Sequence, residues 1–293
     1  KEFGLRPLVV HVDAGWNSEL AVYNIEQVVK YGGYDLHTHV MDWEEIRDLQ
    51  LAYLKAGVSN QDVVQDHAFF ASLYHFAVRN KIKYVISGGN IATEAVFPYS
   101  WHHKAMDAVN LHAIHKKYGS KKLKHYKTIN TFQYYIYYPL IYKMQTVRPL
   151  NYLKYNKREA LNFLKNEIGY KAYWRKHCES IFTKFFQNHY LPVKFGYDKR
   201  RPHLSSLILS NQLTRDDALE ELKEPLYDPN ELQEDFNYIA KKLMISESEL
   251  KSFIEAPGIN YTKFKNWDKT YMILKKAQSF FERLTGTKLK NYA

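Results

Sequence analysis

The chain holds a single cysteine, Cys178. That excludes an internal disulfide and any Cys-x-x-Cys metal or sulfur-carrying site, and it suits a reducing cytoplasm. No apolar run approaches the roughly 20 residues that span a bilayer, so no transmembrane helix and no membrane insertion are expected. No initiator methionine precedes Lys1, and there is no signal-peptide pattern, internal repeat or low-complexity linker. Acid is in short supply: 31 Asp and Glu against 42 Lys and Arg give a net charge of +11. Such a balance points to anionic partners, whether nucleic acid, phosphorylated small molecules or an acidic protein.

What is present is an alternation of short apolar runs and helical patterns. Pro7–Asp13 and about Leu36–Met41 read as strands. Tyr84–Ile86 reads as a strand buried on both faces, because its apolar run has no polar alternation. Between them, Leu20, Tyr23, Gln27, Val28 and Tyr31 recur at helical spacing behind a cap at Asn17 or Ser18, and Gly32-Gly33 stops that helix. Asp42 and Glu45 form a capping-box-like start, Gly57 a stop, and a further helix is expected over about 62–80. Strands alternating with helices of this length predict an α/β fold with a parallel sheet and flanking helices. Residues 1–169 read as an α/β domain. Residues 170–293 read as a mostly helical extension, with caps at Thr214-x-x-Asp217 and Ser246-x-x-Glu249.

The polar residues gather at strand ends, where open α/β sheets bind ligands. After Ile86 come Ser87, Gly88 and Gly89, which let the backbone turn sharply and a ligand approach, and then Asn90, Thr93 and Glu94. After Val12 come Asp13 and Gly15. Arg148, pinned by Pro149, offers a guanidinium for a phosphate. Gly196–Pro202 lacks apolar periodicity and reads as a loop presenting Lys199, Arg200 and Arg201 together, with aromatic neighbours, as a phosphate site. His102, His103, His112 and His115 lack a carboxylate signature, and no zinc site is read from them. The six aromatic residues of Thr131–Tyr142 read as core or interface packing, with base stacking as the alternative.

His11-Val12-Asp13-Ala14-Gly15, the Ser87-Gly88-Gly89-Asn90-x-x-Thr93-Glu94 stretch and Arg148-Pro149-Leu150, in this order, resemble the PP-loop ATP pyrophosphatase superfamily with its adenine-nucleotide α-hydrolase fold. More narrowly, Gln65-Asp66-His67-Ala68-Phe69-Phe70 and Lys194-Phe195-Gly196-Tyr197-Asp198-Lys199-Arg200-Arg201 resemble N-acetyl sugar amidotransferases of the WbpG type, which build bacterial surface polysaccharides. The family opens with a cysteine-containing segment and a Ser-Gly-Gly-x-Asp-Ser phosphate loop. Neither precedes Lys1, so the resemblance implies a chain that starts after that loop, lacks a central strand and is inactive or nearly so.

The resemblance implies conversion of an acetamido group on a nucleotide-linked N-acetyl sugar to acetamidino, with ATP and Mg²⁺. The amide oxygen attacks the α-phosphorus, pyrophosphate leaves, ammonia adds to the carbon and AMP departs. It assigns adenine and ribose recognition to Val12, Asp13, Gly15, Ser87, Gly88, Gly89, Asn90 and Thr93, and phosphate contact to Arg148. It gives Mg²⁺ to Glu94, with Asp13 as the weaker candidate. Asp66 or His67 would orient the acetamide or relay a proton from ammonium. Lys199, Arg200 and Arg201 would meet pyrophosphate or the sugar's nucleotide phosphates. Ammonia would come from glutaminase and cyclase-like partner subunits. The alternatives are a tRNA-modifying enzyme of the same superfamily, which would bind nucleic acid, and a non-catalytic nucleotide- or sugar-binding module.

Overall fold

A computed structural model describes residues 4–173 and 178–285. Strand β1 (Val9–Asp13) leads through helix α1 (Glu19–Gly32) to β2 (Leu36–Val40), which pairs parallel with β1 in the register Val9↔Leu36 to Asp13↔Val40. Ser18 caps α1 and Gly33 closes it in the left-handed region, so both ends lie where the cap residues place them. Helices α2 (Trp43–Ala56) and α3 (Val63–Arg79) follow, then β3 (Tyr84–Ile86) and a single turn, α4 (Ile91–Glu94). Helix α5 (Ala108–Tyr118) precedes β4 (Gln145–Val147), which pairs parallel with β3.

The architecture is therefore mixed α/β and mostly helical, and the expected single parallel sheet is instead two separate two-stranded ribbons. β3 is not buried on both faces: Tyr84 is 65% and Ile86 54% exposed. Its apolar run is satisfied on one side only, where Val85 packs with Ala71, Tyr74 and Ala77 of α3 against Ile129, Tyr138 and Met144. β4 carried no strand pattern of its own. Its three residues become a strand because β3 offers them a ladder.

Downstream, α6 (Lys157–Phe163) starts at its Asn156 cap and ends, after a wider turn, at Gly169. Helices α7 (Ile181–Phe185) and α8 (Leu191–Phe195) run on through another wide turn, and α9 (Arg200–Leu209), α10 (Arg215–Glu221), α11 (Pro229–Leu243), α12 (Glu247–Glu255) and α13 (Asp268–Thr285) complete the order. Thr214 and Ser246 cap α10 and α12 as their sequence spacing requires, each accepting from the third residue on at 3.1 Å. The expected helical tail beyond residue 285 lies outside the described residues.

The core crosses the chain from end to end. One cluster centres on α2, with Ile46, Leu49 and Tyr53 fully buried and Phe264 packed on from the far end of the sequence. A second joins Trp16 and Leu54 to Phe182, Phe185, Tyr190 and Leu243. The aromatic tract of residues 131–142 lies mostly in a helix of wide turns (Gln133–Ile141), where Tyr142 donates its N–H to the Tyr137 carbonyl five residues back at 2.7 Å. Tyr138 goes to the core, whereas Tyr134 and Tyr135 turn to a cavity beside Trp267.

Candidate functional site

The β3–β4 pairing assembles the first group of polar residues. Ser87 N–H donates to the Val147 carbonyl at 2.9 Å, so the chain leaving β3 runs beside Arg148 as it leaves β4. Asn90 then caps α4: its Oδ1 accepts from the Thr93 N–H at 2.9 Å and the Thr93 hydroxyl at 3.1 Å. The glycines do not act through unusual backbone angles, since neither Gly88 nor Gly89 takes positive φ. At Gly89 the missing side chain matters instead. A Cβ there would lie 3.6 Å from Arg148 Nε and 3.7 Å from Glu94 Oε2, so a cation and a carboxylate meet over a bare backbone. Sequence reading placed Ser87, Gly89, Asn90, Thr93, Glu94 and Arg148 in one site, and the structure brings them to one corner.

Across from this corner stands the end of β1. Val12 lines the same open cavity of about 940 Å³ as Asn90, Thr93 and Glu94, with Asn17, Asn24, Lys157, Glu179 and His203 also on its polar wall. Asp13 and Gly15 do not line it. The Asp13 carboxylate folds back to accept from Gly15 N–H at 2.7 Å and Asn17 Nδ2 at 3.2 Å, which fixes the turn. Gly15 sits at φ +83°, and a Cβ would come within 2.8 Å of the Trp43 ring. Both residues are thus turn-builders. The carboxylates that do line the cavity are Glu94 and Glu179, and Mg²⁺ commonly takes one or two carboxylates plus phosphate oxygens. Glu94 and Glu179 are thus the carboxylates open to such an ion, and Asp13 is not.

A second cavity, of about 620 Å³, opens beyond the amino end of α3. Asp62, Asp66, Glu179, Lys199 and Lys104 supply its charges, and Trp101, Tyr134 and Tyr197 are among its aromatic walls. Trp101 and Tyr197 stack at 4.5 Å between centroids, 14° from parallel. Burial pushes the Asp66 carboxyl up to about 8, the neighbouring Asp62 charge adds to this, and Lys199 opposes it. Burial and the Asp62 charge thus favour the protonated form of Asp66. His67 faces the other way. Its Nδ1–H donates to the Ala105 carbonyl at 2.9 Å and its Nε2 accepts from Ile129 N–H at 3.0 Å. Both ring nitrogens are committed and burial pushes its pKa down to about 4, so it is a neutral core residue rather than an acid or base for substrate.

The three cations expected on one loop instead straddle the start of a helix, which turns them in different directions. α9 begins at Arg200, with Pro202 in its first turn, where a missing N–H costs nothing. Lys199 lines the second cavity. Arg200 is turned aside: Nη2 meets Asp198 Oδ2 at 2.8 Å and Nη1 donates to the Glu224 carbonyl at 2.8 Å, which ties α9 to the chain after α10. Arg201 is exposed and lines neither cavity.

The two cavities adjoin, sharing Asn17, Phe69 and Glu179. None of the three was singled out from sequence. Asn17 carried only a helix-cap signal, and Glu179 stands in a stretch without pattern. Residues 179–278 match the family model of the LPS biosynthesis protein WbpG-like, C-terminal domain. The WbpG-like region supplies Glu179, Thr183, Tyr197, Lys199, Trp267 and Tyr271 to the second cavity, so the matched segment forms one of its walls. A comparison with curated proteins finds no match. Among the described residues, no helix is long and apolar enough to cross a membrane.

Proposed function

We propose that this chain belongs to an ATP-dependent amidotransferase that converts an acetamido group of a nucleotide-linked N-acetyl sugar to acetamidino during surface polysaccharide synthesis. The observation that carries this reading is the junction of two unlike cavities. One has Asn90, Thr93, Glu94 and Lys157 on its wall, with Arg148 behind them beside Glu94 at Gly89, suited to a nucleotide and its phosphates. The other has stacked aromatics beside a protonated carboxyl, suited to a sugar bearing an amide. The WbpG-like match supports the sugar side of the reading.

The chemistry needs the amide oxygen and the α-phosphorus held in line, which the shared wall at Asn17, Phe69 and Glu179 makes possible. Arg148 offsets charge on the phosphates, and Mg²⁺ bound by Glu94 and Glu179 would neutralise more of it. Protonated Asp66 donates a hydrogen bond to the acetamide. Near pH 8 the same group accepts a proton from incoming ammonium, because its pKa lies close to the working range. Lys199 holds a negative group on the sugar side. The ammonia comes from a partner subunit.

The test is equilibrium binding of AMP and of a nucleotide-linked N-acetyl sugar to the chain. Both should bind together, Asn90→Ala should weaken AMP about 10-fold with the sugar unaffected, and Trp101→Ala should do the reverse. Two ligands that compete for one cavity, or no binding of either, would overturn the reading.

A further inference from the structure

A third cavity, of about 430 Å³, lies away from both of these and shares only Val10 with the nucleotide-side one. Its chemistry is one-sided. Helix α3 contributes Ser72, His75, Phe76 and Arg79, which fall at i, i+3, i+4 and i+7 on one face. β2 contributes His37 and His39, two residues apart and so on one face of the strand, with Val10 beside His37 on the ladder. The loop after α5 contributes Lys127. No carboxylate lines the space. Arg79 and Lys127 form no ion pair among the described residues.

A metal is the wrong occupant. The cluster among the described residues whose ligand atoms all lie within 4.8 Å of one another is Asp42, Glu45 and His125, not these histidines. His75 is in any case committed: Nε2 lies 3.2 Å from the Thr128 carbonyl and must carry the proton, so Nδ1 accepts from the Tyr138 hydroxyl, also at 3.2 Å. His37 stacks on Phe76 at 4.5 Å between centroids, which fixes one wall and leaves its ring nitrogens without a hydrogen-bond partner among the described residues. Two permanent cations and two imidazoles thus face a volume that suits a small ligand.

We propose that this cavity is an anion site for a phosphate group, free or carried as a monoester on a small body. Arg79 supplies a planar fork for two phosphate oxygens, Lys127 a point charge, Ser72 a hydroxyl donor, and His37 and His39 further donors once protonated. The site does not depend on the reading given for the other two cavities. Affinity should rise as pH falls. Burial, then Lys127, then His37 hold the His39 pKa below its ordinary value, and a bound dianion favours the charged imidazole. The facing charged and titratable groups are His37 and His39 on β2, His75 and Arg79 on α3, and Lys127. His75 spends both ring nitrogens on Thr128 and Tyr138 and contributes little.

The experiment is calorimetric titration of the chain with inorganic phosphate, and in parallel with N-acetylglucosamine 1-phosphate, at pH 6 and pH 8. Saturable binding is expected, and the affinity counted per phosphate dianion, a form that itself thins out between pH 8 and pH 6, should tighten at least threefold at pH 6. Arg79→Ala with Lys127→Ala, both exposed positions, should weaken it 10-fold or more while thermal unfolding stays unchanged. His37→Gln with His39→Gln should flatten the pH dependence. Tighter binding of the sugar phosphate identifies a monoester as the ligand, and equal binding identifies free phosphate. Absence of saturable binding, an affinity unchanged in the Arg79/Lys127 pair, or a pH dependence unchanged in the histidine pair would each overturn the proposal.

Discussion

Asp66 and His67 were candidates for proton relay and Arg200 for phosphate contact, and what surrounds each side chain decides which of them can serve. Asp66 meets a cavity, a neighbouring carboxylate and a lysine, so its proton is held and available. His67, next along the helix, points about 100° away into the core and spends both nitrogens on backbone groups. Arg200 spends its guanidinium on Asp198 and on carbonyls at the end of α10. Arg200→Ala should therefore lower stability by about 2 kcal/mol, read as a shift in the urea midpoint, and leave AMP binding within twofold. An unshifted midpoint with AMP binding lost would restore Arg200 to the phosphate site. His67→Ala strands a buried carbonyl and a buried N–H and should cost about 3 kcal/mol, measured the same way.

At the scale of elements, a few polar side chains hold segments in place. Glu45 lies in the first turn of α2, where a capping box would send it back to its own helix. Its carboxylate instead accepts backbone N–H groups from Lys124, His125 and Tyr126 at 2.7–3.0 Å and pins that loop over the helix. Asp48, one turn on, accepts from Ser120 and Lys121, and these bonds hold its carboxyl below the usual range although burial works against them. Glu45→Ala should cost about 2–3 kcal/mol through the orphaned N–H groups, and amide hydrogen exchange should quicken across residues 120–126. Protection unchanged there would show that the loop is held by other means. α4 is only one turn long, so its place depends on the Asn90 cap and on the Asn151 side chain, which accepts from Ile91 N–H at 2.8 Å.

For the whole molecule, buried titratable groups set how stability varies with pH. His67 and His103 are both pushed down to about 4 by burial, below their ordinary 6.5. Between those values the unfolded chain binds more protons, so their contribution is present above pH 6.5 and is lost as pH falls toward 4. Asp66 acts with the opposite sign. Its folded pKa is raised from 3.8 to about 8, so the folded chain binds the extra proton and stability is lost as pH rises from 4 toward 8. Asp66→Asn removes that loss. Urea unfolding of the variant and the parent should diverge progressively over this range, the variant gaining toward pH 8. A constant offset would mean that the Asp66 carboxyl titrates normally.

Local order was legible in the sequence because caps and stops act within one turn. Ser18, Asp42, Thr214, Ser246, Gly33 and Gly57 end helices by bonding to backbone groups three or four residues away, and no distant residue is needed. The polar corner of residues 87–94 was legible for a similar reason, as strand-end chemistry written in one stretch, and Arg148 joins it through a three-residue ladder. Long-range packing was not. Whether β1 and β3 share a sheet, whether Tyr84 and Ile86 are covered, and which way Arg200 turns all depend on groups far off in sequence. The same holds for the cavity joining Asn17 to Glu179. A short apolar run shows that a strand wants burial, but only the tertiary structure decides which faces are buried, because burial is supplied by whatever segment packs against them.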